Sequence, residues 1–135
     1  MNSILICEIQ LADFDIERFD RIGEFSYEKM CRYLDEFKWK DEIQKMENPD
    51  TTFPSVSAVN IYRDSYFYIS AVGEPDDFHF VVGLAIKEEQ KGFLGFGGGK
   101  KDKMFEKDFI TLDEAKQYLK LFYDDNYEEI KTLFQ

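Results

Sequence analysis

Three features of this sequence hold residue types that chemistry uses. The run Gly95-Phe96-Gly97-Gly98-Gly99-Lys100-Lys101 sets consecutive backbone amides beside two ammonium groups, the ingredients of an anion cradle. It lacks the G-x-x-x-x-G-K-[ST] spacing of a phosphate loop, since Asp102 follows Lys101, and it lacks the dinucleotide fingerprint. A flexible hairpin tip, an anion-contacting loop and a partner-contacting loop all fit the glycines at 95–99. His79 is the only histidine. Any Ser–His–Asp or Cys–His set must therefore use it, with Cys7, Cys31, Ser57 or Ser70 as nucleophile. None of these stands in a nucleophile-elbow context. Carboxylate pairs occur at Asp76-Asp77, Glu88-Glu89, Asp124-Asp125 and Glu128-Glu129. They would suit glycosidase or metal chemistry only if both members faced one site, whereas adjacent side chains on a strand or helix point in different directions. No catalytic residue, metal ligand or cofactor is expected.

A second use of acids and aromatics is more economical. Tyr62, Tyr66 and Tyr68 lie close to Asp64, Asp76 and Asp77 in the sequence. Phenols beside carboxylates are what a protein interface uses, with aromatic anchors ringed by charge. These six residues are the candidate protein-binding set. The opposing reading makes the tyrosines only the solvent side of a two-layer sheet.

The composition narrows the classes further. The chain has 135 residues, 28 of them acidic and 17 basic, with a formal charge of −11. That length is one domain, and nucleic-acid binding is disfavoured because phosphate recognition needs a basic face. The charge suits a basic partner instead, since an acidic surface speeds encounter with one. Lys91 to Lys107 runs against this balance, with five lysines to Asp102 and Glu106, so the chain is dipolar and suited to oriented docking. Cys7 and Cys31 are too few for a disulfide scaffold and read as buried reduced thiols. Met1 to Leu11 has no basic start and is interrupted by Glu8, unlike a signal peptide. No apolar run approaches the ~18 residues of a membrane span. A cytoplasmic protein is expected.

The elements that would position these residues follow from periodicity. Ser3 to Leu11 reads as a first strand, and Asp13 to Glu24 as amphipathic turns or an irregular segment packed by Phe14, Ile16, Phe19 and Ile22. Ser26 is placed to cap a helix whose Tyr27, Met30, Cys31, Leu34 and Phe37 share a face. A phase slip near Lys38–Lys40 predicts a kink or a second helix carrying Trp39, Ile43 and Met46. The period then becomes two. Val56 to Tyr62, Tyr66 to Val72 and Phe78 to Ile86 read as a three-strand meander with turns at Arg63-Asp64-Ser65 and Gly73 to Asp77. The third run is the most apolar, so it is expected at the sheet centre. Gly92 to Gly99 holds room for a short fourth strand, and Lys103 to Phe109 for a fifth. Thr111-Leu112-Asp113-Glu114 has the spacing of a capping box, opening a helix with Ala115, Tyr118, Leu119, Phe122 and Tyr123 on its buried stripe. A last helix carries Ile130, Leu133 and Phe134. The expected fold is α+β in one domain over 1–135. Its antiparallel sheet has four or five strands with a meander core at 56–86, and N-terminal and C-terminal helices pack on one face.

From Phe53 to Phe134 the chain resembles bacterial polymorphic-toxin immunity proteins. The resemblance is carried by Phe53-Pro54-Ser55 leading the meander and by Thr111-Leu112-Asp113-Glu114-Ala115 opening the closing helix. It implies a stoichiometric inhibitor that covers the active site of a cognate toxin, often a basic nuclease. Such families share no catalytic residues, so none carries over. The rival expectation is a small-ligand-binding or enzymatic domain with a pocket near His79 and the glycine loop 95–99. A third is an accessory subunit of a larger assembly.

Overall fold

Side chains that alternate between two faces account for most of the chain. The computed structural model describes residues 4–12, 18–46, 53–90 and 99–134. Among them the chain forms β1 (Ile4–Gln10), β2 (Asp20–Ser26), α1 (Tyr27–Glu36), α2 (Trp39–Gln44), β3 (Ser55–Asn60), β4 (Ser65–Glu74), β5 (Asp77–Gln90), β6 (Gly99–Ile110), α3 (Leu112–Tyr123) and α4 (Tyr127–Leu133). The strands make one sheet in the order β2-β1-β3-β4-β5-β6, with every neighbouring pair antiparallel. The class is α+β, as expected.

The sheet has six strands rather than four or five. The additional one is β2, in a segment read as turns. Only Phe25 of its seven residues is fully buried, and an edge strand needs no more. A register shift at Cys7/Glu8 further breaks the alternation opposite Gly23. β5 is not central either. β3 and β4 hold the middle because β1 and β2 add to the far side of the meander. The short strand expected in Gly92 to Gly99 falls on residues outside those described, apart from Gly99, which opens β6. Lys103 to Phe109 lies within β6. The outermost strands are charged, β6 carrying Lys100, Lys101, Lys103 and Lys107, which discourages strand addition at an exposed edge.

One face of this sheet is sealed. Cys7, Ala58, Phe67, Leu84 and Phe105 stand directly opposite one another across five strands, and the first four are fully buried. They share a core with Met30 and Leu34 of α1, Trp39 and Ile43 of α2, Leu119 and Phe122 of α3 and Ile130 of α4. All four helices therefore lie on that face. Burial pushes the Cys7 thiol up to about 12, in keeping with an inert, reduced core residue, and both cysteines are free.

Local chemistry fixes the helix ends. Ser26 caps α1 by accepting from Lys29 N at 3.2 Å. Phe37 adopts extended backbone, which resolves the phase slip into two helices. Trp39 then donates its indole N–H to Leu34 O at 3.1 Å, satisfying a carbonyl left open at the end of α1. Buried Glu42 accepts from Ala12 N at 3.3 Å and meets Lys45 Nζ at 2.7 Å, holding α2 to the chain leaving β1. Tyr123 donates to Phe25 O at 3.0 Å and Tyr27 to Lys116 O at 2.8 Å, which ties α3 to β2 and α1. The Thr111–Glu114 capping box forms, with both reciprocal bonds present.

Leu34→Ala and Leu119→Ala should each lower stability by ~2–5 kcal/mol in urea unfolding, because both side chains are fully buried between helix and sheet. Thr111→Ala should cost ~0.5–2 kcal/mol. A loss under ~1 kcal/mol at either leucine contradicts a single shared core.

Candidate functional site

The candidate site is the other face of the sheet, on which no helix packs among the described residues. Register defines its rows. Glu24, Ile6, Val59, Tyr66, Ala85 and Met104 form one row across all six strands. Arg21, Glu8, Ser57, Tyr68, Gly83 and Glu106 form the next. The first row is an apolar and aromatic band, with Tyr66 and Met104 exposed. The second brings charge from both edges, including the Arg21–Glu8 pair at 3.7 Å.

At one end of this face the β3–β4 turn carries Tyr62 and Asp64. Tyr62 is 93% exposed, and Asp64 adopts φ 48°, an angle that aspartate tolerates better than most residues. The turn is held from behind. Asn60 Oδ1 accepts from Tyr62 N at 3.1 Å and Arg63 N at 3.3 Å. Arg63 stacks its guanidinium 3.9 Å from the Tyr127 ring centre and reaches Asp125 at 3.4 Å. Ser65 and Tyr127 share a buried hydroxyl bond of 2.6 Å. The turn is thus docked on the α3–α4 junction. β5 and β6 run on past it, since Ser65 already pairs with Ile86. A cleft of about 350 Å³ opens in that corner, lined by Val59, Ile61, Asp64, Tyr66, Ala85, Ile86, Lys87, Lys103 and Met104 among others.

In the middle of the face, the Tyr68 ring lies flat over Gly83, where a Cβ would overlap it. Glycine here makes room for an aromatic on the neighbouring strand. Burial, and then the hydrogen bond to Glu106, push the Tyr68 phenol well above the usual tyrosine range.

The far end holds Asp76, Asp77, His79, Asp108 and Phe109. Asp76 is exposed and pairs with Lys40 of α2 at 2.6 Å, while Asp77 opens β5 opposite Glu74. His79 Nε2 lies 2.9 Å from Asp108 Oδ1, and its ring stacks on Phe109 at 4.0 Å between centres. A register shift between Phe80 and Val82 marks a bulge in the β5–β6 pairing, and bulges re-aim side chains. Phe109 lies in that bulge at φ 57° and is 77% exposed. A bulky residue at positive φ is a real outlier. Asp108 Oδ1 also accepts from Phe109 N at 2.7 Å, so one carboxylate holds both the strained peptide and the histidine.

The structure brings Tyr62, Asp64 and Tyr66 together, sets Tyr68 beside Tyr66, and places Asp76 and Asp77 at the opposite end of β4, about 30 Å along the strand. It adds Phe109, Asp108, Glu106 and Met104, which sequence reasoning missed. Their only signal was the alternation of Lys103 to Phe109. The glycine loop 95–99 lies outside the described residues except for Gly99. His79 stands about 35 Å along β5 from Gln90, which pairs with Gly99. None of the nucleophile candidates is brought beside His79. Cys7 is in the core on the other face, Cys31 is on α1, Ser57 is buried in β3, and Ser70 donates to Pro54 O at 3.1 Å. Among the described residues no group of three His, Cys, Asp or Glu is arranged to hold a metal ion, and no helix is long and apolar enough to cross a membrane. No protein family, curated protein or solved structure matches the chain.

Gly83→Ala should displace the Tyr68 ring and break its bond to Glu106. The expected result is a loss of ~1–3 kcal/mol, with the Tyr68 phenol titrating at lower pH. An unchanged urea midpoint together with an unchanged tyrosine titration contradicts the packing of Tyr68 on Gly83.

Proposed function

We propose that the protein is a protein-binding module, and most specifically an immunity-type stoichiometric inhibitor that covers a cognate toxin in the cytoplasm through its helix-free sheet face. The observation that carries this reading is Phe109. Left-handed backbone costs an ordinary residue ~1–2 kcal/mol, and local strain of this kind marks functional positions. Here it displays a benzyl group to solvent, next to Asp108 and close to the turn bearing Asp76 and Asp77. An aromatic anchor ringed by carboxylates is suited to a basic partner.

The size of the face supports the same reading. Six strands span about 24 Å and a ten-residue strand about 30 Å, so the face offers roughly 700 Å², close to the ~800 Å² each partner contributes to a standard interface. Its apolar band from Ile6 to Met104, with Tyr66 and Tyr68, supplies the centre, and Tyr62 stands at one end. Glu8, Glu24, Glu106 and Asp108 supply an acidic rim. A formal charge of −11 favours fast encounter with a cationic protein. No catalytic role is assigned to any residue.

The partner to test is the product of a toxin gene encoded beside this one, by titration to a one-to-one complex and by rescue of its toxicity. A neighbourhood without such a gene, together with small-molecule turnover lost in His79→Ala, overturns the reading. Phe109→Gly relieves the strained φ and removes the His79 stack, terms of ~1–2 and ~0.5–1.5 kcal/mol that oppose each other. Its stability should stay within about 1 kcal/mol of the parent, whereas complex affinity should fall by about thirtyfold, the loss of one hot spot. Asp76→Lys with Asp77→Lys should slow association and flatten its salt dependence, leaving the dissociation rate and folding nearly unchanged.

A further inference from the structure

β6 is the last strand of the sheet order, so among the described residues its outer edge presents main-chain donors and acceptors to no further strand. From Lys103 to Lys107 its side chains divide by charge between the two faces. Register sets Lys103, Phe105 and Lys107 opposite Ile86, Leu84 and Val82 on the helix side, and Met104 and Glu106 opposite Ala85 and Gly83 on the helix-free side. These five residues pair with β5 one for one, and the irregularity begins only beyond them. The edge therefore reads basic, apolar, basic on one side and apolar, acidic on the other. Lys103, Met104 and Glu106 are exposed, and Phe105 and Lys107 are half-buried.

Contacts within the chain hold these groups without exhausting them. Lys107 Nζ meets Leu133 O at 3.4 Å and lies 5.9 Å from the Tyr118 ring centre. Lys131 of α4 adds a third ammonium on this side, 5.9 Å from the Phe105 ring centre and paired with Glu128 at 3.1 Å. Lys103 also has a contact within the chain, and Glu106 accepts from Tyr68. An ammonium carries three donors and a carboxylate about four acceptor sites, so each can engage a further partner.

We propose that this edge binds an extended segment of another protein as an added antiparallel strand, patterned acidic–basic–apolar–apolar–acidic opposite Lys107 to Lys103. Main-chain bonds supply affinity in this mode and alternate side chains supply specificity. Directly opposed side chains of paired strands share a face. Each lysine thus meets a carboxylate, Glu106 meets a basic group, and Phe105 and Met104 meet apolar ones. A second copy of this chain fits poorly. A two-fold pairing centred on Phe105 would set Lys103 against Lys107, and like charges directly opposite are destabilising. The lysines that discourage self-addition are then the ones that select an acidic strand. The inference does not depend on the reading of the helix-free face, because neither Phe109 nor the turn bearing Tyr62 takes part.

The probe is the end-capped peptide Thr-Glu-Lys-Val-Ile-Glu-Thr, titrated into the intact protein while backbone amides are followed by NMR. Saturable shifts should centre on Lys103 to Lys107, with slowed hydrogen exchange at the same amides. The charge-swapped peptide Thr-Lys-Glu-Val-Ile-Lys-Thr should bind about tenfold more weakly, through three mismatched cross-strand pairs. Net charge predicts the reverse, since the swapped peptide is cationic and the chain carries −11. Lys103→Glu with Lys107→Glu should invert the preference. Methylating the peptide's Val or Ile main-chain nitrogen tests the pairing with the protein unchanged. Only alternate residues of a strand bond to a given neighbour, so one methylation should abolish binding and the other leave it intact. Equal or tighter binding of the swapped peptide overturns the proposal, as do tolerance of both methylations, shifts mapping elsewhere, or no saturable shift. A concentration-dependent dimer protecting the β6 amides would make a second copy the occupant and overturn it too.

Discussion

Successive side chains of a strand point to opposite faces, so a sheet covered by helices on one side only must divide its residues strictly in two. Six strands here send Cys7, Ala58, Phe67, Leu84 and their neighbours to the helix layer. Each fully buried Leu or Phe of that set contributes ~1.5–3 kcal/mol, and a one-residue slip in any strand would turn its whole apolar set outward. The register is therefore held by the core. The composition of the other face follows as a by-product: Ile6, Val59, Tyr66, Ala85 and Met104 are aligned because the residues between them are.

That dependence gives the candidate face a rigid base. Tyr62 and Asp64 sit on a turn, usually the least fixed part of a hairpin, yet the turn is docked through Arg63, Asn60 and Ser65 onto the α3–α4 junction. The capping box at Thr111 starts α3 immediately after β6 ends, so the bulge carrying Phe109 is fixed between a sheet strand and a helix N-terminus. Both ends of the face are thus tied to the helix layer behind it. A partner docking there, as proposed, would leave less ordering to be lost, which is where preorganised surfaces gain affinity.

Most of this architecture was legible where one period dominates. The alternations at 66–72 and 78–86, the Ser26 cap, the Thr111–Glu114 box and the phase slip near Lys38–Lys40 all appear as local patterns, and all formed. The alternation at 56–62 formed a strand only as far as Asn60, with Ile61 and Tyr62 taken into the turn. What escaped depends on distant partners. β2 is charged and buries essentially Phe25 alone, so only its pairing with β1 makes it a strand. The central position of β3 and β4 rests on β1 inserting beside β3, a contact no local pattern specifies. At the candidate site, the nearness of Tyr62, Asp64 and Tyr66 followed from a short hairpin. Asp76 and Asp77 were grouped with them because the length of β4, which separates the two turns, was not weighed. The exposed, strained Phe109 was invisible because what sets it apart is a backbone angle.

The chain's charge is also unevenly arranged on that face, and this bears on how it would meet a partner. Asp77 and Asp108 stand at the bulge end, with Asp76 on the turn beside them paired to Lys40. At the other end Lys87 shares the face of Ala85 and is offset by Asp64, while Lys103 stands opposite Ile86 on the helix side. The two ends are separated by much of the length of β4, a distance several times the ~8 Å screening length at physiological salt. Each end is then felt separately at close range, and the acidic bulge end would set the orientation in which a basic partner approaches. Net charge alone sets how fast an encounter occurs, whereas this asymmetry sets which encounter leads to docking. The strained Phe109 stands at that same end, so the aromatic contact and the steering charge would be met in one approach.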